Sequence, residues 1–308
     1  MIYNAFGLRW QLPFLCPELG EPITETIDEK ADVVVRLGPV PETLRAHTPA
    51  GPFQQVEGER TLFQFPDVAR YLVAHGNEIT IDPVNGAEQK QLRLFLLGTA
   101  AALLLLQRGG ILPLHASGVR TPQGAILFSG HSGYGKSTLL GAFHARGYEM
   151  LTDDLAAIRL DENGRPRVEP AFPQIKLWAD SAEQLQQETK GLDRVRPGLE
   201  KFAVLTGDRL STAPAPLHTV YFLTIDNNSS QVRLETLRDA RKFNALLDHT
   251  WQKLVLKRMG RHKAHFRQVV AVANQVRIKR LYRPERPFLL DELVDRIIAD
   301  FTRNEDDE

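Results

Sequence analysis

The sequence predicts an α/β fold: a small β-rich region at the N-terminus and a larger unit in which strands and helices alternate. Three observations carry this. Residues 125–129 (Ala-Ile-Leu-Phe-Ser) form an apolar run too short for a helix, and a glycine-rich loop follows it. Residues 136–146 then place Leu139, Leu140 and Phe143 at helical spacing and stop at Gly147, where a helix cap is expected. Residues 1–86, by contrast, hold short apolar runs (31–37, 61–65, 78–81) separated by Pro and Gly clusters, the pattern of a β-rich unit.

The remaining elements follow in order. Residues 87–108 have a strong helix pattern ended by Gly109-Gly110. Within it, 94–106 is the most apolar run of the chain; it is too short for a bilayer span and suits a buried helix. Residues 111–119 read as a strand, followed by a turn at 121–124. After the loop helix, 149–151 and 155–160 read as strands flanking Thr152-Asp153-Asp154. Asn163-Gly164 marks a tight hairpin leading to 167–169. Residues 186–217 carry few regular signals and many charges, among them Arg194, Arg196, Lys201 and Arg209. They read equally well as a lid or as a solvated surface loop. Residues 219–225 read as a buried strand, with 231–237 as its pairing partner. Helices are expected over 238–247, 263–274 and 289–302, with a strand near 276–282 and an acidic, disordered tail over 304–308. The domain reading is 1–86, 87–303 and the tail 304–308.

Composition narrows the function classes. The 308 residues are 43% hydrophobic and 25% charged, an ordinary globular balance. Lys+Arg and Asp+Glu both total 38, which argues against a broad nucleic-acid surface. Cys16 is the single cysteine, so no intramolecular disulfide exists, and its type suits a small buried hydrophobe better than a nucleophile. The first fourteen residues lack a basic stretch followed by an apolar one, so no signal peptide is expected, and a cytoplasmic location is.

The motif with chemical content is Gly130-His131-Ser132-Gly133-Tyr134-Gly135-Lys136-Ser137-Thr138, a complete G-x-x-x-x-G-K-[ST] phosphate loop. Its backbone N–H groups would cradle α/β-phosphates, Lys136 would reach the β/γ-phosphates and the Ser137 hydroxyl would bind Mg²⁺. The nucleotide-contacting set is therefore Gly130, Ser132, Gly133, Tyr134, Gly135, Lys136, Ser137 and Thr138, with His131 and Tyr134 as wall. A helix N-terminus behind the loop adds its positive dipole end.

A phosphate loop names the ligand, not the reaction; acidic residues at strand ends supply the rest. Asp153-Asp154 follows the strand next to the loop helix. One carboxylate of such a pair positions Mg²⁺ and the other accepts a proton from a hydroxyl. A solvated turn explains the pair as well on position alone. Asp226 ends an apolar run in the Walker-B manner, but Asp226-Asn227-Asn228-Ser229-Ser230 is more readily a turn. His115 stands on the strand before the loop strand, where a satisfied core histidine is the ordinary reading. Ser181 and Gln184 fit a helix capping box. Lys176, flanked by apolar residues, wants an anion, either phosphate or a carboxylate. No His/Cys cluster has zinc spacing.

The order His115, phosphate loop, loop helix, Arg146-Gly147, Asp153-Asp154 resembles HPr kinase/phosphorylase and its relatives, bacterial serine kinases whose fold is like that of ATP-dependent phosphoenolpyruvate carboxykinase. The matching stretch is 114–158. The resemblance implies a P-loop kinase core using ATP and Mg²⁺, with Lys136 on the β/γ-phosphates, Ser137 and Asp153 on the metal side, Asp154 as base toward the acceptor hydroxyl and His115 near the phosphates. It implies an acceptor serine on a peptide or small protein, as in lasso-peptide tailoring kinases, and an association into homo-oligomers. The family's downstream Gly-rich acidic stretch is missing; Glu169 or Asp180 stands roughly in its place. Two alternatives stay open: a small-molecule alcohol or free serine as acceptor, and a nucleotide-binding regulatory module with little turnover. Neither nucleic acid nor membrane is expected as a partner.

Overall fold

The computed structural model describes residues 1–23, 30–185, 187–188, 192, 194–195, 198–206 and 209–303. The acidic tail 304–308 and Arg196 of the charged segment lie outside the described residues. The chain is a mixed α/β protein of two compact units, Met1–Pro113 with Thr250–Val269, and Leu114–His249 with Val270–Glu308.

The first unit is built on an eight-stranded sheet: β1 (Ile2–Ala5), β2 (Leu8–Gln11), β3 (Val33–Leu37), β4 (Thr48–Pro49), β5 (Gln54–Glu57), β6 (Arg60–Phe65), β7 (Ala69–Ala74) and β8 (Glu78–Pro83). The spatial order is β1-β2-β3-β8-β7-β6-β5-β4, antiparallel except where β3 runs parallel to β2 and to β8. Alternation does the work the sequence suggests: in β7 Ala69, Tyr71 and Val73 are all buried. Tyr71 stacks on Phe63 of the neighbouring strand at 4.6 Å between ring centroids.

A helical stretch then packs on this sheet. It consists of α1 (Gln89–Phe95), a π-helical turn over Leu96–Ala100, and α2 (Ala101–Arg108). The whole stretch, Gln89–Arg108, is long and apolar enough by composition to cross a membrane, more so than the 94–106 run suggested, but most of it is buried inside the unit. Leu103, Leu104 and Leu105 are fully buried. Gln107 donates to Thr61 Oγ1 and to the Val73 carbonyl, and Tyr71 Oη donates to the Leu92 carbonyl. These bonds explain why the division falls at Pro113 rather than near residue 86: the helix belongs with the sheet that buries it. Residues 250–269, with α6 (Lys253–Arg258), return to the same unit, which no local signal announces. Cys16 is buried and free, and burial followed by the neighbouring Glu18 charge pushes its thiol far above the ordinary range.

After β9 (Ile111–Leu114), the second unit holds β10 (Ala116–Thr121), β11 (Gly124–Ser129), α3 (Lys136–Ala145), β12 (Glu149–Thr152), β13 (Ala156–Leu160) and β14 (Pro166–Glu169). It continues with β15 (Gln174–Trp178), α4 (Ala179–Gln184), β16 (Lys201–Leu205), β17 (Ala215–Ile225) and β18 (Arg233–Thr236). α5 (Asp239–Asp248), α7 (His262–Ala273), β19 (Arg277–Arg283) and α8 (Leu290–Thr302) follow, α7 starting in the first unit. The sheet runs β12-β10-β11-β17-β14-β13, with β19 parallel to β17 and β18 antiparallel to β19. β11 is parallel to β17 and antiparallel to β10.

Three sequence expectations change here. The run 111–119 is two strands broken at His115, whose backbone N donates to the His249 carbonyl. The 231–237 segment pairs with β19, not with β17, because β19 takes the parallel register along Thr219–Ile225. The segment 186–217 is not featureless: β16 lies in it and forms a two-stranded ladder with β15. The core of the unit places Leu139, Leu140 and Phe143 of α3 and Leu293, Ile297 and Phe301 of α8 against Phe128, Tyr221 and Leu281 of the sheet.

Candidate functional site

The loop from Gly130 to Gly135 leaves the C-terminal end of β11 and runs into the first turn of α3. Strand, glycine loop and helix thus follow in the predicted order. Lys136 is buried, and its Nζ donates to the carbonyls of Gly130 (2.9 Å) and His131 (3.1 Å), bridging the loop. Burial lowers its pKa, while the Asp154 and Asp153 charges oppose that shift. His131 and Tyr134 lie within the loop with ring centroids 5.3 Å apart, and neither lines the cavity beside it. Tyr134 also packs against the core.

Asp153-Asp154 sits beside this loop because β12 ends there, on the far side of β10 from β11. Asp153 is buried and satisfied on both oxygens. Its Oδ1 accepts from Ser117 Oγ (2.6 Å) and Ser137 Oγ (2.9 Å), and its Oδ2 accepts from the Lys176 backbone N (2.8 Å). Burial, and then the adjacent Asp154 charge, raise its pKa. Asp154 adopts a left-handed backbone at φ 66°, which Asp tolerates better than most residues. Its Oδ2 lies 3.3 Å from Lys176 Nζ, and its Oδ1 3.9 Å from Lys201 Nζ. Burial works against its charge, but the cations of Lys176 and Lys201, and behind them Lys136, outweigh it and hold the carboxyl well below the usual range. A solvated turn does not describe Asp153, which is buried and accepts from three donors.

Asp154, but not the buried Asp153, lines a cavity of about 400 Å³ together with the loop (Ser132, Gly133, Gly135, Lys136, Ser137, Thr138), His115, and Trp178, Ala179, Asp180, Ser181, Glu200 and Lys201. His115 therefore faces the loop rather than a plain core. Burial first, and the Lys136 cation second, lower its pKa to about 4, so its ring is neutral at pH 7. Six of the eight residues expected to contact the nucleotide line this cavity; Gly130 and Tyr134 do not. The backbone carbonyl of Tyr134 accepts from Arg283 Nε (3.1 Å).

Other candidates fall elsewhere. Asp226 is a turn residue: its Oδ1 accepts from the Asn228 backbone N, and Arg233 stands 3.6 Å away. Glu169 pairs with Arg159 at 3.4 Å. Ser181 is not a helix cap, since Trp178 holds that position and makes no side-chain cap bond; Ser181 Oγ instead accepts from Thr138 Oγ1 at 2.8 Å. Lys176 takes the carboxylate alternative, Asp154. The residues that sequence reasoning missed are Ser117, Trp178 and Lys201. Lys201 was visible only as one charge among many, and its placement depends on the β15–β16 ladder.

The described residues contain no cluster of three or more His, Cys, Asp or Glu side chains that could hold a metal. The donor set fits Mg²⁺ nonetheless. Mg²⁺ takes one or two protein oxygens and completes its shell with water and phosphate, and the adjacent Ser137 hydroxyl and Asp153 carboxylate are hard oxygens of that kind.

No protein-family model matches the chain, and comparison with curated proteins finds no match. Among solved structures, the Hpr(Ser) kinase/phosphatase from Coxiella burnetii aligns with 61% of this chain and 91% of its own, at 14% identity and a TM-score of 0.31, a likeness too distant to carry an argument.

Proposed function

We propose that the chain is an ATP-dependent kinase that moves the γ-phosphoryl group to a hydroxyl, with serine of a peptide or small protein as acceptor. The observation that carries this reading is the convergence, in one cavity, of the loop lysine Lys136, Ser137 and the lysine-paired Asp154, with Asp153 accepting from the Ser137 hydroxyl. Lys136 and the loop amides would neutralise the phosphates, and Ser137 and Asp153 would hold Mg²⁺, which would supply further charge neutralisation. The acceptor oxygen attacks the γ-phosphorus, the bond to the β,γ-bridging oxygen breaks, and the hydroxyl proton passes to Asp154 and on to solvent. Such a transition state is loose, so positioning weighs more than base strength, and an Asp with low proton affinity still serves as the acceptor of that hydrogen bond. His115, neutral and beside Lys136, offers a hydrogen bond without adding charge. The acceptor class and homo-oligomers rest on the motif resemblance, and a cytoplasmic setting rests on the single cysteine, Cys16.

One observation favours a second reading, a nucleotide-binding module with little turnover: two lysines clamp Asp154, which weakens it as a base. Incubation with labelled ATP, Mg²⁺ and candidate peptides, small alcohols and free serine separates the readings. Transfer that falls at least about 100-fold in Asp154→Asn, which keeps a residue tolerant of the left-handed backbone, supports the kinase. Tight ATP binding without transfer to any acceptor, or full transfer by Asp154→Asn, sinks it.

A further inference from the structure

A cavity of about 230 Å³ lies between β18, β19 and the C-terminal half of α8, wholly within the second unit. It shares no lining residue with the cavity at the glycine loop. Lys279, Arg296, Arg303 and Asp300 carry its charge, and Leu234 and Ala299 give it an apolar side.

The charges do not balance. Three cations face one carboxylate, and that carboxylate already has its donors. Asp300 is buried; its Oδ1 accepts from the buried Lys279 Nζ (2.7 Å), and its Oδ2 accepts from Tyr221 Oη (2.8 Å). Arg277 stands 3.9 Å from the same Oδ1, so a fourth cation adds to the surplus. Arg296 and Arg303 are exposed and make no hydrogen bond or ion pair among the described residues. Asp291 and Asp295, which could have balanced them from the same helix, pair with Arg146 instead. Arg296, Asp300 and Arg303 are spaced i, i+4, i+7, so both guanidinia share the side of α8 that meets Lys279.

Unbalanced positive charge in a concavity raises the local potential and draws anions. Guanidinium forks take carboxylate or phosphate oxygens two at a time. The cavity is larger than a single inorganic ion needs and smaller than a drug-sized site, and Leu234 and Ala299 suit a short carbon skeleton. We infer that it binds a small organic polyanion, one with two or more carboxylate or phosphate groups. The inference stands apart from the proposed phosphoryl transfer, since the two sites share no residue.

Titration calorimetry on the full chain with citrate, 3-phosphoglycerate and sulfate tests it, at about 0.15 M salt so that diffuse attraction is screened. Citrate or 3-phosphoglycerate binds, and the tighter of the two tells whether carboxylate or phosphate is the preferred group. Sulfate binds at least about 10-fold more weakly. Arg296→Gln and Arg303→Gln each weaken the polyanion about 10-fold, the share of one charge-assisted hydrogen bond, and Lys136→Ala leaves it unchanged. Both arginines are exposed, so their loss does not disturb the core. Ala299→Trp, also at an exposed position, fills the cavity and abolishes binding without removing a charge. The site is overturned if neither polyanion binds, if sulfate binds as tightly (an adventitious ion only), or if the arginine variants bind like the wild type. It is equally overturned if Lys136→Ala removes the binding, which would place the anion on the glycine loop.

Discussion

Lys176 Nζ stands 3.3 Å from Asp154 Oδ2, and the backbone N of the same lysine donates to Asp153 Oδ2 at 2.8 Å. One residue of β15 therefore holds both members of the acidic pair, one by charge and one by main chain. The lysine side chain is 9% exposed, so the ion pair is largely desolvated.

Replacing this lysine by Met removes half of a buried pair while Lys201 stays 3.9 Å from Asp154. Lys176→Met is expected to cost up to about 3 kcal/mol of stability, read by denaturant unfolding, and to reduce phosphoryl transfer more than nucleotide affinity. An unchanged unfolding midpoint would show that the pair contributes nothing.

Asp153 is the metal-side carboxylate in the proposed reaction. Asp153→Asn should raise the Mg²⁺ concentration needed for half-maximal transfer and lower the rate by about 100-fold, because an amide is a poorer ligand and turns a donor toward Ser117, Ser137 or the Lys176 amide. The metal assignment fails if the Mg²⁺ dependence of the variant overlays the wild type.

The N-terminal unit carries its own test. Gly76 has φ +66°, and a Cβ there would stand 2.6 Å from the backbone of Arg108 at the end of α2. Gly58 has φ +58° with open space around it. Gly76→Ala should lose more than about 2 kcal/mol, and Gly58→Ala only the backbone term of about 1 kcal/mol. Thermal unfolding of the two variants checks the ordering; equal losses would refute the packing of α2 on this turn.

His265 is buried beside Thr250, with 3.0 Å between Nε2 and Oγ1, and burial lowers its pKa to about 4. The unfolded chain titrates near 6.5, so between these values the unfolded state binds the proton that the folded state refuses. The stability is fully present above pH 6.5 and is lost as pH falls toward 4, at no more than about 1.4 kcal/mol per pH unit. His265→Gln keeps a partner for the Thr250 hydroxyl and should flatten that slope in urea titrations at pH 7, 6 and 5. An identical slope in the variant would remove His265 as its source.

The strands and helices around the loop were legible because periodicity is local. Residues 124–129 alternate with nothing and are buried on every side, and 136–145 carry an apolar stripe, so each announces its type within ten residues. Pairing is not local. The β18 segment offered no clue that β19 rather than β17 would take it, and Lys201 gave no sign of reaching Asp154. The same limit applies to the domain division, because residues 250–269 return to a sheet more than 150 positions earlier in the chain.

By itself the sequence determined the glycine loop, its flanking strand and helix, and the position of two carboxylates one strand later. Spacing along the chain suffices for these, since backbone propensity and side-chain period act over a few residues. Tertiary structure alone decided that Asp153 is satisfied by three donors and raised in pKa while Asp154 is clamped by two lysines and lowered. Those states depend on burial, on the Ser117 hydroxyl of β10 and on charges drawn from α3, β15 and β16, and electrostatic environment is a property of separations in space that no order of residues records.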